Sequence, residues 1–407
     1  MRNIKIVIGA NFGDEGKGLM TDYFCHQAEQ RNENCIVVLH NGGAQRGHTV
    51  TTPTGIKHIF HHFGSGTFCG ADTYCSKDFI LNPMIFSQEF EELKVSGYVP
   101  RVYIHPSCKI STPFDMILNQ IIEENRSGNR HGSCGMGIYE TLLRTKEYKY
   151  SIFFGELFFL TDEQIRNRLQ KIRDEWMKIR FSIEDIEFIS EEWSNIINSS
   201  SLLDHYLIDL KFMRDVSVKA NNSILSGYKN IVFENGQGLL LDQNNLEYFP
   251  HLTPSNTGCK NALDIISKSF PDKKNLKIEA CYVTRTYLTR HGAGRLDNEC
   301  KREDINKDMF DHTNLPNLHQ GTLRYGYLIT DDLMLRILED FKLLGDLHPF
   351  NSTCSLAMTH INEYIDDNVW NMNYEFEKSY FGYAEVREGI RKRERLKLCI
   401  MGGGAKQ

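Results

Sequence analysis

Three side chains near the start of the chain, the Asp14 carboxylate, the Lys17 ammonium and the His48 imidazole, stand in two glycine-rich stretches. The first stretch is Gly9-Ala-Asn-Phe-Gly13-Asp14-Glu15-Gly16-Lys17-Gly18, and the second is Gly42-Gly43-Ala-Gln45-Arg46-Gly47-His48-Thr49. Glycines let backbone N–H groups converge on an anion without Cβ obstruction, and a helix starting near Leu19 points its positive end at the same place. A glycine-rich turn alone serves as a strand-to-helix connection. With an acid, a lysine and a following Gly-His-Thr, the pair reads as a phosphate cradle. It is not a Walker A loop, which needs a glycine at 11 and a hydroxyl at 18, where this chain has Asn11 and Gly18. In place of the metal-holding hydroxyl, Asp14 sits inside the loop, where a carboxylate binds Mg²⁺ or exchanges a proton with substrate.

The elements that position these groups follow from hydrophobic periodicity. The apolar run Ile4-Lys5-Ile6-Val7-Ile8 predicts a strand, Met20 to Gln30 a helix and Cys35 to His40 a second buried strand, a βαβ opening. His58 to His62 alternates as a half-buried strand; no acid or thiol lies near in sequence to complete a metal site. Asn82-Pro83 predicts the start of a helix running to Val95, and Val102 to His105 a short strand. From about Leu160 to Val218 the chain is charged and helical, a candidate helical subdomain or lid with no linker to set it off. Strands return at Asn230–Phe233, Lys277–Val283, Thr353–Met358 and Leu396–Met401. Apolar strands separated by helices predict an α/β fold, one large, mostly parallel sheet flanked by helices within a single domain, residues 1–407.

Composition narrows the partners. A net charge of −6 gives no general attraction to nucleic acid or anionic membrane, so an anionic ligand must meet a local cationic pocket. The 11 cysteines show neither CxxC pairs nor regular spacing, which predicts reduced thiols in a cytoplasmic protein. No apolar run approaches the roughly 20 residues of a membrane span.

Gly13-Asp14-Glu15-Gly16-Lys17-Gly18 with Gly-His-Thr about thirty residues on resembles the adenylosuccinate synthetase family, NTP-dependent ligases that join aspartate to C6 of IMP. Weaker resemblance continues to the C-terminus. It implies that Asp14 takes the N1 proton, the 6-oxygen attacks the γ-phosphate, and an amine displaces the resulting 6-phosphate. It implies that His48 donates to the oxygen between phosphates and that Lys17 neutralises γ-phosphate charge. Mg²⁺ is then bridged by Asp14 and the Gly47 carbonyl, and Gly13, Glu15, Gly16, Gly18 and Thr49 complete the phosphate contacts.

Gln45 falls among the purine-nucleotide contacts, as does Gln237 of Glu234-Asn-Gly236-Gln237-Gly238, which follows a strand as ligand-binding loops of α/β sheets do. Thr253 of Thr253-Pro-Ser255-Asn256-Thr257 inherits a phosphate contact. A further glycine loop, His131-Gly132-Ser133-Cys134-Gly135-Met136-Gly137, carries a hydroxyl and a thiol able to donate hydrogen bonds. It resembles the family's loop around the IMP phosphate, through Ser133 and Cys134. Arg144 stands near the arginine that crosses to the neighbouring subunit of a homodimer. Thr289-Arg290-His291-Gly292 resembles a Thr-Arg-Val-Gly motif with His291 in the apolar position, placing Gly292 at the nucleotide.

Two departures bear on substrates. The family's Arg-rich loop, which grips aspartate and the NTP through guanidinium forks, corresponds to Leu318–Gly326, where Thr322 and a single arginine, Arg324, remain. Where the family reads guanine with a Lys-x-Asp motif, this chain has His360-Ile361-Asn362, with Gly403 in the turn under the base. An amide offers one donor and one acceptor and pairs with adenine's N1 and N6 edge. Three readings stand: a ligase of IMP and aspartate; the same chemistry on GMP or dGMP, or with another amine; and a nucleotide-binding regulator with a degenerate site. ATP and GTP both remain candidate co-substrates.

The amide at 362 predicts that ATP serves at least as well as GTP. Partial solvent access limits such base discrimination to roughly 1–3 kcal/mol, so Asn362→Asp is expected to shift preference toward GTP by roughly ten-fold or more. kcat/KM for both triphosphates in wild type and variant checks it; a strong GTP preference unchanged by the substitution refutes it.

Overall fold

The structure is a computed structural model and describes residues 1–127, 130–272, 275–308, 321–347, 352–360, 363 and 397–400. Its centre is a nine-stranded sheet, in spatial order Lys397–Ile400, Ser352–Thr359, Leu276–Arg285, Arg2–Gly9, Asn230–Gly238, Cys35–Leu39, Asp72–Cys75, Val102–Ile104 and Ser217–Lys219. Every neighbouring pair in it is parallel. Alternation along each strand divides the core. Ile4, Ile6 and Ile8 face one side with Val38, Phe233 and Tyr282, while Val7 faces the other with Val37, Val232 and Cys281. A sheet buried on both faces needs apolar residues at nearly every position, which is why its strands read as continuous apolar runs.

The expected elements are present with shifted bounds. The first helix begins at Lys17 rather than Leu19, because Gly16 turns into it at φ 96°. The helix Pro83–Val95 starts as predicted, with the Asn82 side chain accepting from the N–H groups of Met84 and Ile85. The strand expected to stop at Phe233 runs on to Gly238. Helices between Asp162 and Val216 contribute Ile165, Leu169, Trp176 and Met213 to the same apolar cluster as Val37 and Phe63, so they pack as one layer against the sheet. A second sheet of Tyr287–Arg290, Arg324–Tyr327 and Glu299–Cys300 lies beyond the strand Leu276–Arg285 and has no counterpart in the sequence reading. The cysteines among the described residues are free thiols, and no helix there is long and apolar enough to cross a membrane.

His58 and His62 prove to have a carboxylate partner that local sequence does not show. Glu89, from the helix Pro83–Val95, approaches His58 at 3.6 Å and His62 at 3.8 Å and accepts the backbone N–H groups of His61 and His62. The contacts are structural: Glu89 ties a strand end to a helix.

Arg144 is corrected by the structure. It is fully buried, with Nε and Nη2 donating to the two oxygens of Asp115 at 2.8 Å each. Nη1 donates to the Tyr150 carbonyl at 2.5 Å and Nη2 also to the Ile110 carbonyl at 2.7 Å. Asp115 in turn closes a capping box with Thr112 at the start of the helix Pro113–Asn125. A guanidinium occupied on all sides inside its own subunit does not reach another, so its role is to pin its own helix Ile138–Arg144 and the helix Pro113–Asn125 to the short strand Lys109–Ile110 and the turn Tyr148–Tyr150. Breaking such a buried pair leaves an uncompensated charge, and Arg144→Ala is expected to cost about 3–5 kcal/mol, read as a lowered urea midpoint. A midpoint unchanged from wild type contradicts this assignment.

Candidate active site

The glycine loop leaves the carboxyl end of the central strand Arg2–Gly9, and the ends of the strands Leu276–Arg285, Ser352–Thr359 and Asn230–Gly238 lie against it. Its backbone is tied on several sides. The Asp14 carbonyl accepts from Arg285 Nε at 2.6 Å and the Glu15 carbonyl from Thr359 Oγ1 at 2.9 Å. The Asn11 N–H donates to Glu15 Oε1 at 2.6 Å, and the Asn11 side chain reaches Thr284 Oγ1 at 2.8 Å. Gly16 must be glycine twice over: φ is 96°, and a Cβ would lie 2.8 Å from Thr359 Cγ2. Asp14 is itself held at φ 56°.

Inside the loop Glu15 and Lys17 are buried. Both reach under Gly9, where a Cβ would meet Glu15 Oε2 at 2.4 Å and Lys17 Nζ at 3.0 Å. Burial pushes the Glu15 carboxyl up to about 7 and the Lys17 amine down. Lys17, at the N-terminus of its helix, is thus a desolvated amine beside the Glu15 carboxyl.

His48 starts the strand His48–Thr51 and packs on the helix entrance, since a Cβ on Gly18 would lie 3.0 Å from the His48 Cβ. Its Nδ1 is 2.7 Å from Glu234 Oε1. Glu234 is fully buried and binds Arg46 at 2.8 Å through Oε2, while the Ser65 N–H and hydroxyl also donate to it. Burial opposes its ionisation, but Arg46, His48 and Ser65 together hold its carboxyl well below the usual range. Burial, followed by the Arg46 charge, lowers His48 to about 4, so the free ring is neutral near pH 7. An ionised Glu234 places the single proton of that ring on Nδ1, leaving a lone pair on Nε2.

Gln45 and Gln237 come together. A Cβ on Gly42 would lie 3.0 Å from Gln45 Nε2 and 3.3 Å from Gln237 Oε1. Gln45 Oε1 and Nε2 and Gln237 Oε1 are buried without hydrogen-bond partners, and Gln237 sits at φ 57°. Buried amides without partners are costly, and a ligand edge with matching donors and acceptors satisfies them. The Ser133 loop interlocks with the turn after Arg290: a Cβ on Gly132 would be 2.7 Å from the Ala293 nitrogen, and one on Gly292 2.7 Å from the Gly132 carbonyl oxygen. Ser133 is held by Asn119, whose Nδ2 donates to its hydroxyl at 2.8 Å, and burial raises the Cys134 thiol. From the same turn His291 Nε2 lies 3.1 Å from Asp14 Oδ2. Burial opposes ionisation of Asp14, yet the His291 hydrogen bond and charge, with Arg285 and Lys17, hold its carboxyl below the ordinary value.

Other expected residues stand elsewhere. Thr253 is buried in the turn anchored by its N–H to the Leu241 carbonyl at 2.9 Å. Thr322 is exposed. Arg324 is held bidentately by Glu299 at 2.8 and 2.5 Å and donates to the Gly294 carbonyl at 2.7 Å, so the one arginine of that loop already has a carboxylate. His360 pairs with Glu363 at 2.9 Å. Asn362 and Gly403 lie outside the described residues. The residues that sequence reasoning missed are Glu234, Arg46, Ser65 and Arg285. All act across separations in the chain, or beside a motif, that periodicity does not register.

A family model described as adenylosuccinate synthetase matches residues 6–319 of this chain. The chain belongs to the adenylosuccinate synthetase family. Curated adenylosuccinate synthetases from Mesoplasma florum and Francisella tularensis subsp. novicida are 28% identical over 306 residues and 27% over 311. Each match takes in 74% of this chain and 66% of the relative, so the chain spans just under two thirds of the length of those relatives. Among solved structures, the fully ligated adenylosuccinate synthetase from Plasmodium falciparum superposes with a TM-score of 0.63 at 20% identity, covering 88% of this chain and 77% of the other. The succinoaminodeoxyadenylate synthetase of cyanophage S-2L, bound to dGMP and dATP, gives 0.59 at 12% identity, covering 93% and 89%. These likenesses show that the parallel sheet and its flanking helices have the adenylosuccinate synthetase fold.

One pH dependence follows from a neighbour of the site. His40 is fully buried at the end of the strand Cys35–Leu39, and burial lowers it to about 3. Between that value and about 6.5 the unfolded chain binds a proton there that the folded chain does not, so His40 favours folding less as pH falls through this window. Wild-type stability relative to His40→Gln is expected to fall with decreasing pH by up to about 1.4 kcal/mol per pH unit below 6.5, measured by urea unfolding at pH 5, 6 and 7. A pH-independent difference rules this out.

Proposed function

We propose that the protein is an NTP- and Mg²⁺-dependent ligase that activates the 6-oxo group of IMP by phosphorylation and joins aspartate to C6, giving adenylosuccinate. The observation that carries the reading is the Glu234-held His48 packed on the entrance of a helix that begins with buried Lys17, in the loop that also bears Asp14. A degenerate regulator has no use for a desolvated lysine and a carboxylate-held imidazole in one cradle.

In this reading Asp14, ionised in the free protein, takes the N1 proton. The released electron pair makes O6 the nucleophile at the γ-phosphorus, and the nucleoside diphosphate leaves. The amine of aspartate then bonds to C6 and inorganic phosphate departs. Lys17 Nζ neutralises γ-phosphate charge at the positive end of its helix. His48 donates to the oxygen between phosphates only as the imidazolium, because its neutral form keeps the proton on Nδ1 for Glu234. Arrival of the polyanion therefore brings a proton onto Nε2, and Glu234 stabilises the resulting charge. Gln45 and Gln237 bind the purine nucleotide through their buried amides. The Asp14 carboxylate, 34% exposed, and the carbonyl of exposed Gly47 would supply hard oxygen ligands to Mg²⁺, which would offset phosphate charge.

The co-substrate is ATP or GTP, and the S-2L neighbour, bound to dATP as an energy donor, favours testing ATP first. That neighbour's dGMP keeps GMP and dGMP as the second reading of the purine. Family membership supports aspartate as the amine, which Arg324 would grip after leaving Glu299. A homodimer fits the family, but with Arg144 buried a crossing contact has to come from another residue.

Phosphate release with IMP, GMP and dGMP, crossed with ATP and GTP and with and without aspartate, tests the reading. IMP- and aspartate-dependent release is expected, with Asp14→Asn and His48→Ala each abolishing turnover while nucleotide binding stays measurable. Near wild-type turnover in Asp14→Asn would falsify the mechanism.

A further inference from the structure

We infer that His26, Glu29 and Cys69, with Asp22 beside the thiol, form a binding site for a zinc-type divalent cation. None of the four belongs to the groups assigned to the ligase reaction, and the inference stands whether or not that reading holds.

Asp22, His26 and Glu29 belong to the helix Lys17–Gln30, where steps of four and three residues bring them onto one stripe. Cys69 comes from a different part of the chain, at the end of the short helical turn Thr67–Cys69. That turn is seated directly on the helix: a Cβ on Gly66 would lie 2.2 Å from Cys25 Sγ. The two arms of the site are therefore held in register by packing that does not involve the ligand atoms themselves.

His26 Nδ1 lies 2.9 Å from Glu29 Oε2, and Cys69 Sγ lies 3.3 Å from Asp22 Oδ1. One ligand atom each from His26, Glu29 and Cys69 fall within 4.8 Å of one another. Zinc takes imidazole nitrogen and carboxylate oxygen at about 2.0–2.2 Å and thiolate at about 2.3 Å, so tetrahedral neighbours stand roughly 3.3–3.5 Å apart. The two short contacts are close to such an edge, and small rotations of the exposed His26 and Glu29 side chains close the rest. The other ring nitrogen, His26 Nε2, is 3.0 Å from the Gln30 amide. Turned so that its oxygen accepts, that amide is the outer partner that orients a ligating imidazole.

An exposed imidazole–carboxylate pair alone is a surface ion pair of little consequence. Here a thiol faces the pair from another element, and the donor set is one nitrogen, one sulfur and carboxylate oxygens. Hard Mg²⁺ does not select such a set, whereas zinc does. Burial, and then the Asp22 and Glu29 charges, push the Cys69 thiol up. A divalent cation answers both charges at once. On coordination the thiol loses its proton to solvent and the thiolate binds the metal.

Co²⁺ serves as the spectroscopic probe, titrated into the full chain after chelator treatment and with Mg²⁺ in excess to occupy hard-oxygen sites. Wild type should bind one equivalent with a thiolate-to-cobalt charge-transfer band, and Zn²⁺ should displace it. Cys69→Ser should lose the band, while Cys300→Ser, which removes a thiol elsewhere, should keep it. His26→Ala changes an exposed side chain and should weaken Co²⁺ binding by about ten-fold or more with an unchanged circular dichroism spectrum. Zn²⁺ should also raise the urea midpoint of wild type and not that of His26→Ala. No charge-transfer band in wild type overturns the proposal, as does a band that survives in Cys69→Ser. If Cys69→Ser fails to fold, His26→Ala decides: an affinity equal to wild type refutes the site.

Discussion

The site depends on one buried carboxylate. Glu234 sits where four groups need a negative charge or an acceptor: the Arg46 guanidinium, the His48 ring, and the hydroxyl and N–H of Ser65. An arginine with no exposed surface is tolerable only when its charge is answered, and a buried imidazole has one tautomer and direction only when a partner sets them. Glu234 does both from the middle of the central strand Asn230–Gly238. It therefore links the packing of the sheet to the chemistry at its carboxyl edge.

What sequence could and could not disclose follows from the range of each interaction. The glycine-rich loop between the first strand and the first helix was legible because its glycines, acid and lysine lie within ten residues. The parallel sheet was legible because strands buried on both faces must be apolar throughout. The Asn82 cap and Pro83 declared a helix start for equally local reasons. Arg144 misled because proximity in sequence to a motif says nothing of whether a side chain faces a partner subunit or, as here, Asp115 twenty-nine residues away. The small sheet bearing Arg324 was missed since its strands are only two to four residues long, too short for periodicity to show. Glu234 was visible as a residue but not as a partner, since only folding brings it to His48 across 186 positions.

The glycine loop after the strand Arg2–Gly9 carries Asp14 and Lys17, with His48 packed on the helix it opens, whereas the small sheet carries one arginine, Arg324, already held by Glu299. The two groups are mounted on different sheets, so the side chains of the small sheet can change without disturbing the loop.

The interlocked glycines carry a mechanical consequence. Gly132 and Gly292 meet backbone to backbone, with no side chain between them to deform. A soft contact would absorb a displacement by changing rotamer; this one passes it on, as rigid close packing does. The Ser133 loop and the His291 turn are accordingly one lever with two arms, one beside the expected phosphate of the nucleotide and the other on the Asp14 carboxylate. A shift of either arm is therefore passed to the other through backbone atoms alone.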